Sequence, residues 1–346
     1  MNFYNQLRES LDNFEPNVTL SKGETVLLCD MGYIFKYQFA GNPATRGDGI
    51  PIGGISGSIN LIIRMVNQFS PTKVVCIFDG KASRKRRRNV IQEYKVNRDE
   101  SAGIRSTLDM SQEMNDESQK TQYKLLFHLM KFMPVKLIKM DELEADDIIG
   151  YIANKYYDNK TGTRYIISAD KDFHQLVNKR TTCYNPQQKK LINEVYIKKH
   201  WATYPENIIY HKIVEGDPSD NLKGINGVGK KTLIKFFPEL QEIRINNIEE
   251  FIELIQSKEE LLCKTKTGKK IFDGIDTLRD NYYVMRLTDE FISLDEAVRI
   301  NKILERGSME NIIAKKKKLK QLIMKYSLED DIHTNSLFTL FHKLKY

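Results

Sequence analysis

Val135-Lys136-Leu137-Ile138-Lys139-Met140-Asp141-Glu142-Leu143-Glu144-Ala145-Asp146-Asp147-Ile148-Ile149-Gly150 is the stretch on which the fold of this chain turns. Its first four residues read as a short strand. From Ala145 the pattern becomes helical, with Ala145, Ile148, Ile149 and Ile152 on one apolar face. Glu144 and Asp147 are neighbours on the opposite face, and Asp146 flanks Asp147. Acids in a first turn complement the helix dipole, worth about a few tenths of a kcal/mol, so the trio alone has an ordinary explanation. Glu142, just outside the helix, reads as a surface charge.

On either side of this stretch, three more apolar runs end in acids. Thr25-Val26-Leu27-Leu28-Cys29 leads to Asp30, and Lys73-Val74-Val75-Cys76-Ile77-Phe78 to Asp79-Gly80. Arg164-Tyr165-Ile166-Ile167-Ser168 leads to Ala169-Asp170-Lys171-Asp172. Continuous apolar runs are expected of strands buried on both faces. Gly53 to Ser58 introduces a helix carrying Ile59, Ile62, Ile63 and Val66. Strands alternating with helices predict an α/β fold with a doubly wound, mostly parallel sheet, and Cys183 to Ile192 predicts a hairpin at its edge. Ligands of such sheets bind at the carboxyl ends of the strands. One Asp there is a helix cap; acids at four strand ends describe a shared crevice. Crowded carboxylates repel, and hard divalent cations, Mg²⁺ or Mn²⁺, relieve that repulsion. Of Asp217 and Asp220, an Asx turn around Pro218 would explain one, and the two acids, three apart, also read as an addition to the crevice.

The length of 346 residues and the 40% hydrophobic content suit one large or two modest folded domains. A formal net charge of +8 favours a polyanionic partner, nucleic acid before membrane. No apolar run approaches membrane-spanning length, and Met1 to Gln6 lacks a signal-peptide core, so an intracellular protein is expected, cytoplasmic (host-cell cytoplasm if viral). Cys29, Cys76, Cys183 and Cys263 are scattered, which argues against zinc and for reduced thiols. The expected organisation is an N-terminal extension (1–21), an α/β core (22–205) with a basic insertion (81–120), a helical region (206–310), and a basic helix with a tail (311–346).

The insertion opens Lys81-Ala82-Ser83-Arg84-Lys85-Arg86-Arg87-Arg88 and continues Gln92-Glu93-Tyr94-Lys95-Val96-Asn97-Arg98. Beside an acidic crevice, these cations read as a phosphate-binding gate, and Tyr94 as a ring that stacks on a base or packs. The second half of the insertion, through Asp109, Glu113, Asp116 and Glu117, is more acidic and reads as the less contacted limb of a long loop. In Gly224-Ile225-Asn226-Gly227-Val228-Gly229-Lys230-Lys231, Gly227 and Gly229 permit positive φ before a helix. Its first amides, with Lys230 and Lys231, would cradle a DNA backbone phosphate. Lys315-Lys316-Lys317-Lys318-Leu319-Lys320 reads as a solvated face. Near the end, Leu337, Leu340 and Phe341 share one helical face, which either docks on the body or enters a partner's groove.

In order and spacing, these motifs resemble the structure-specific 5′ nucleases, or flap endonucleases, with bacteriophage ribonuclease H similar in size. The resemblance runs from about Asp30 to Thr232. It implies a PIN-like core, a helical arch over 81–120, a helix-three-turn-helix at 224–229, and a two-metal phosphodiesterase. By it, Asp30, Asp79, Glu144 and Asp146 surround one ion. Asp146, Asp147, Asp170, Asp172, Asp217 and Asp220 serve the other, several through water. Lys95 and Arg98 would hold the scissile phosphate, Lys81 and Arg84 to Arg88 would line the arch, and K⁺ would sit on carbonyls of the glycine turn. Expected substrates are DNA and RNA–DNA duplexes with a 5′ single-stranded end, cut by a monomer. Ser336 to Phe341, including Phe338, looks like the peptides with which phage replication proteins bind a sliding clamp. That clamp and a single-stranded-DNA-binding protein are the implied protein partners. The competing expectation is a DNA-binding protein without catalysis, whose acids are caps and surface charges.

Overall fold

The structure, a computed structural model, describes residues 23–100, 104–157, 162–288, 291–305 and 311–344. The extension expected over 1–21 lies outside them. Six strands form the main sheet: β1 (Glu24–Asp30), β2 (Lys73–Phe78), β3 (Lys136–Lys139), β4 (Gly162–Ile167), β5 (Thr181–Asn185) and β6 (Lys190–Ile192), in the order β3-β2-β1-β4-β5-β6. All neighbours are parallel except the β5–β6 hairpin. The chain steps outward from β1 to β3 and then returns to β4 on the other side of β1. The switch point, where a crevice opens, therefore lies between β1 and β4.

Period-two alternation explains the layers. Along β1, Leu27 and Cys29 enter one core, while Val26 and Leu28 enter the other. The first core is covered by helices α1 (Met31–Gly41), α2 (Gly53–Phe69) and α3 (Gln112–Met130). The second is covered by α4 (Ala145–Tyr151), whose Ala145, Ile148 and Ile149 are all buried. After α5 (Glu194–Trp201), a third core is built from α6 (Ile208–Glu215), α7 (Lys230–Phe236), α8 (Ile248–Ser257), α9 (Lys266–Asp273) and α10 (Ile275–Met285). α11 (Leu294–Glu305) returns to the second core. α12 (Ile312–Lys325) and α13 (Thr334–Lys343) return to the first. Cys29, Cys76 and Cys183 are buried free thiols, and Cys263 is exposed. No helix among the described residues is long and apolar enough to cross a membrane.

Two expectations change. The acidic half of the insertion, read as the less contacted limb of a long loop, runs into a helix packed on the body. Ser111 accepts from the Met114 amide and starts α3, and the buried Gln122 accepts from the Gly54 amide at 2.9 Å, tying α3 to α2. The terminal apolar residues are not an exposed clamp-binding peptide. Leu337 and Leu340 are 0% exposed, Phe341 is buried, and Phe338 packs at the margin of the first core. The α2 face offers apolar area, and covering it is worth more than solvating three large side chains. Leu340→Ala is accordingly expected to destabilise the fold by about 2 kcal/mol or more, measured by urea unfolding. An unchanged midpoint would mean the tail is not docked.

His211 is 0% exposed on α6, its ring nitrogens without hydrogen-bond partners among the described residues. Burial, assisted by the charge of Lys230, holds its pKa down at about 4. The unfolded imidazole binds its proton near pH 6.5. The contribution to stability is thus present above that pH and lost as pH falls toward 4, by up to about 3 kcal/mol. Unfolding free energies at pH 7.5 and 5 should differ less in His211→Phe than in the unmodified chain; equal differences would exclude His211 as the source.

Candidate metal centre and nucleic-acid interface

The crevice is assembled from strand ends. Cys29 pairs with Ile167 in register, so Asp30 and Ser168 leave β1 and β4 at the same level. Asp30 caps α1 through the Tyr33 amide at 3.0 Å and accepts from Ser168 Oγ at 3.1 Å. Asp79 leaves β2 next to Gly80, where any Cβ would lie 1.6 Å from the Met140 carbonyl oxygen. Only glycine lets β2 end that close to the approach to α4. Asp79 there accepts from the Ala145 amide at 2.9 Å. Asp170 accepts from the Asp172 amide at 2.9 Å, and Asp146 from the Asp147 amide at 2.9 Å. Asp30, Asp79, Glu144, Asp146 and Asp170 line one cleft of about 370 Å³, with Lys36, Arg84, Lys95 and Arg98 among its other walls.

Burial and crowding raise two carboxyls of this cleft. Burial, together with repulsion from Asp79 and Asp170, pushes the Asp30 carboxyl up to about 7. Asp146 is likewise raised, by burial and by Glu144 and Asp147 against the pull of Arg87. Several hard oxygen donors crowded into one cleft fit a divalent cation of the Mg²⁺ type.

Glu144 and Asp147 already meet a cation of the chain; burial still raises Asp147, and only Glu144 is lowered. Arg87 is 2% exposed. Its Nη1 donates to Glu144 at 2.6 Å and to Asp147 at 2.8 Å, and its Nη2 to Asp147 at 2.7 Å. Its Nε donates to the Val284 carbonyl at 2.8 Å, and the Phe291 ring lies 4.8 Å from the guanidinium. Tyr94 hydroxyl donates to Glu144 at 2.9 Å, and Lys95 Nζ to the other Glu144 oxygen at 2.7 Å. Burial alone would raise the Glu144 carboxyl; Arg87 and Lys95 outweigh it and hold the pKa near 2.

Two expectations are corrected here. Arg87 is an internal ion-pair partner rather than a DNA contact, since an interior carboxylate pair needs a fork-shaped cation. Tyr94, 2% exposed, is a hydrogen-bond donor inside this network and has no face for a base. Asp147 spends both oxygens on Arg87, so a guanidinium of the chain already meets the acidic group that Asp147 forms with Glu144 and Asp146, whose oxygens lie within 4.8 Å of one another. The neighbours of Arg87 diverge as well. Arg86 pairs with Glu296 on α11 at 2.7 Å, and Lys85 with Glu142 at 2.6 Å. Arg88 Nε donates to the Tyr94 carbonyl at 2.9 Å, Arg84 lines the cleft, and Lys81 is exposed. Lys95 has φ of 54°, an uncommon conformation for a non-glycine residue, and its amide donates to the Asp220 carbonyl at 2.8 Å.

A second acidic group gathers Asp172, Asp217 and Asp220, with ligand oxygens within 4.8 Å of one another. Asp217 also forms the Asx turn, accepting from the Ser219 amide at 2.9 Å. Asp220 pairs with Arg98 and lies 3.7 Å from Lys95 Nζ, so Lys95 bridges the two acidic groups. Lys212 was not anticipated. It pairs with Asp172, lies 3.8 Å from Asp217, and its pKa is lowered by burial against the pull of the surrounding acids. Its one signal in the sequence is a lone lysine within the apolar run Ile208 to Val214.

At the glycine turn, Gly227 has φ of +83°, as expected, whereas Gly229 is the N-cap of α7 with negative φ. The Lys230 amide does not wait for a phosphate: Glu215 accepts it at 2.7 Å, and Lys230 Nζ donates to the His200 carbonyl. Gly224 is packed against the backbone of Val214 and Glu215, so a side chain has no room there. Lys231 is exposed. Also exposed are Lys266, Lys269 and Lys270 of α9, the last donating to the Asn226 carbonyl at 3.3 Å. Lying forty residues downstream in a mixed-charge helix, these lysines carry no motif that would have placed them beside the turn.

Carboxylates at the switch point of a parallel sheet, walled by cations on an insertion, define a metal-dependent nuclease of PIN-like fold. The family model for the 5′-3′ exonuclease, N-terminal resolvase-like domain, matches residues 25–202, and the chain belongs to that family. It is 25% identical over 253 residues to a 5′-3′ exonuclease of Aquifex aeolicus, spanning 72% of this chain and 82% of that protein. A 5′-3′ exonuclease of Buchnera aphidicola is 29% identical over 76% of this chain and 80% of its own length. DNA polymerase I of Rhizobium leguminosarum is 28% identical over 84% of this chain, which spans only 27% of that polymerase. Among solved structures, T5 5′-exonuclease with bound divalent metal ions (zinc) superposes with a TM-score of 0.65 at 20% identity, covering 81% of this chain and 98% of that one. A complex of the T5 flap endonuclease with DNA and metal ions gives 0.63 at 18% identity, covering 87% and 99%.

Proposed function

We propose that this chain is a divalent-metal-dependent 5′ nuclease, hydrolysing phosphodiester bonds near the 5′ ends of DNA or RNA–DNA duplexes as an exonuclease and flap endonuclease. The observation that carries this reading is the meeting of Asp30, Asp79, Glu144, Asp146 and Asp170 in one cleft walled by Lys95 and Arg98. Asp30, Asp79, Asp146 and Asp170 would hold one divalent ion, and Asp172, Asp217 and Asp220 a second. Bound there, Mg²⁺ or Mn²⁺ supplies Lewis-acid chemistry, making water acidic enough to attack near neutral pH and offsetting charge on the leaving 3′ oxygen. Lys95 and Arg98 are held at the cleft by Glu144 and Asp220, so their charge is in place before a phosphate arrives and needs little reorganisation to stabilise it. Lys81, Arg84, Lys85 and Arg88 would steer the incoming strand, while Lys231 and the α9 lysines hold the duplex backbone. K⁺ on the carbonyls of the glycine turn belongs to the same reading. Removal of 5′ segments during replication is the role such an activity fits.

The test is incubation with a 5′-flap, a nicked duplex and an RNA–DNA hybrid, with and without Mg²⁺. Cleavage from the 5′ end only with metal is expected. Binding without cleavage under either Mg²⁺ or Mn²⁺ would instead favour the non-catalytic DNA-binding protein. Lys95→Ala is expected to lower kcat by about two orders of magnitude, with a smaller change in KM, in single-turnover and steady-state assays. A change confined to KM would make Lys95 a binding residue only.

A further inference from the structure

We propose that the outward face of α12 is a second contact surface for the phosphate backbone of a nucleic-acid duplex, outside the catalytic cleft; the choice of ligand rests on the nuclease reading. α12 carries Lys315, Lys316, Lys317, Lys318, Lys320 and Lys325 and no acidic residue. Leu319, Leu322 and Ile323 are buried in the first core and fix the rotation of the helix. At about 100° per residue, Lys317 then points away from that core and Lys320 lies on one flank. Lys318 and Lys325 share the opposite flank, and all four are exposed. The connection from α12 to α13 is itself anchored on α2. Asn60 donates to the Asp331 carbonyl at 2.7 Å and accepts from the His333 amide at 3.0 Å. The lysines therefore stand on a fixed platform rather than on a loose tail.

An ordinary solvated helix face mixes signs, with acids three or four residues from its lysines. Here those spacings join lysine to lysine: Lys316 with Lys320, Lys315 with Lys318, and Lys317 with Lys320. Among the described residues, no ion pair engages any of the six. Self-repulsion on a rigid element is relieved by a polyanion. The helix is about 21 Å long, the rise of about six base pairs at about 3.4 Å each. A duplex backbone presents charge along that whole length. The surface is also distinct from the basic patch at the glycine turn, because α12 belongs to the first core and the turn to the third.

The test compares the full chain with Lys317→Gln/Lys318→Gln/Lys320→Gln/Lys325→Gln in metal-free buffer, measuring affinity for a 5′-overhang duplex between about 50 and 200 mM salt. The slope of log affinity against log salt should become shallower by about 0.9 for each phosphate the face no longer neutralises, with affinity at low salt down tenfold or more. The corresponding four Lys→Arg changes should keep the slope of the unmodified chain. An unmoved slope and affinity in the Gln variant would overturn the proposal. So would loss of poly-glutamate binding with duplex binding unchanged, which would assign the face to an acidic protein. Cleavage by the unmodified chain with Mg²⁺ is followed in parallel. Its failure would remove the nuclease reading, whereas an unmoved salt slope removes only the lysine face.

Discussion

Asp146→Asn should lower cleavage by on the order of a thousandfold or more while leaving the fold and duplex binding in place. The substitution keeps the shape of the side chain, and its amide oxygen can still accept from the Asp147 amide, the one local bond Asp146 makes on α4. What is lost is a negative charge facing Asp30, Asp79 and Asp170 across the cleft. In this metal-dependent nuclease, an ion held by fewer charges polarises water and the leaving oxygen less, and both effects act in the transition state. Binding should hold or improve, since one carboxylate fewer repels the phosphates. The measurement pairs single-turnover cleavage at saturating Mg²⁺ with binding in metal-free buffer. Loss of both would point to misfolding, and full activity would show that Asp146 is not a ligand. The same change in Asp147 separates the two readings of this helix: Asp147→Asn weakens the Arg87 pair, so its effect should appear in stability before it appears in metal dependence.

Much of this was legible in the chain because strand ends and turns are local signals. An apolar run closing on Asp30, Asp79 or Asp170 tells where each carboxylate leaves the sheet, and parallel topology brings those ends together. Asp217 follows from Asx chemistry around Pro218, where it accepts from the Ser219 amide. What was not legible is which charges neutralise one another. Arg84 to Arg88 contains four arginines and a lysine in succession. A single helical turn, Lys85–Arg88, decides that Arg87 points inward while its neighbours do not. Its partners, Glu144, Asp147 and the Val284 carbonyl, lie 57, 60 and 197 residues away. Lys212 was hidden for the same reason. The terminal apolar face had two outcomes in sequence. The choice between them depended on whether α2 left a complementary surface, which is a property of the packed body.

That hidden pair carries the other large effect. Arg87→Met is expected to destabilise the protein by about 3–5 kcal/mol, because the thioether fills much of the space but leaves Asp147 buried without its cation and Glu144 with Lys95 alone. Arg87→Lys should recover little, since one ammonium cannot reach both Asp147 oxygens, Glu144 and the Val284 carbonyl together. If the loss comes from uncompensated charge, removing that charge should restore stability. Arg87→Met combined with Asp147→Asn is then expected to be more stable than Arg87→Met alone, and the double-mutant cycle should give a coupling of about 1–3 kcal/mol. Additive losses would instead make Arg87 important for packing against Phe291. Denaturant unfolding in metal-free buffer measures the cycle; adding Mg²⁺ then supplies a further discriminating reading. With Arg87 gone, Glu144, Asp146 and Asp147 form an open acidic trio, so Mg²⁺ should raise the midpoint of the variant more than that of the unmodified chain. An equal Mg²⁺ effect in both would mean that Arg87 does not compete with the metal for these acids.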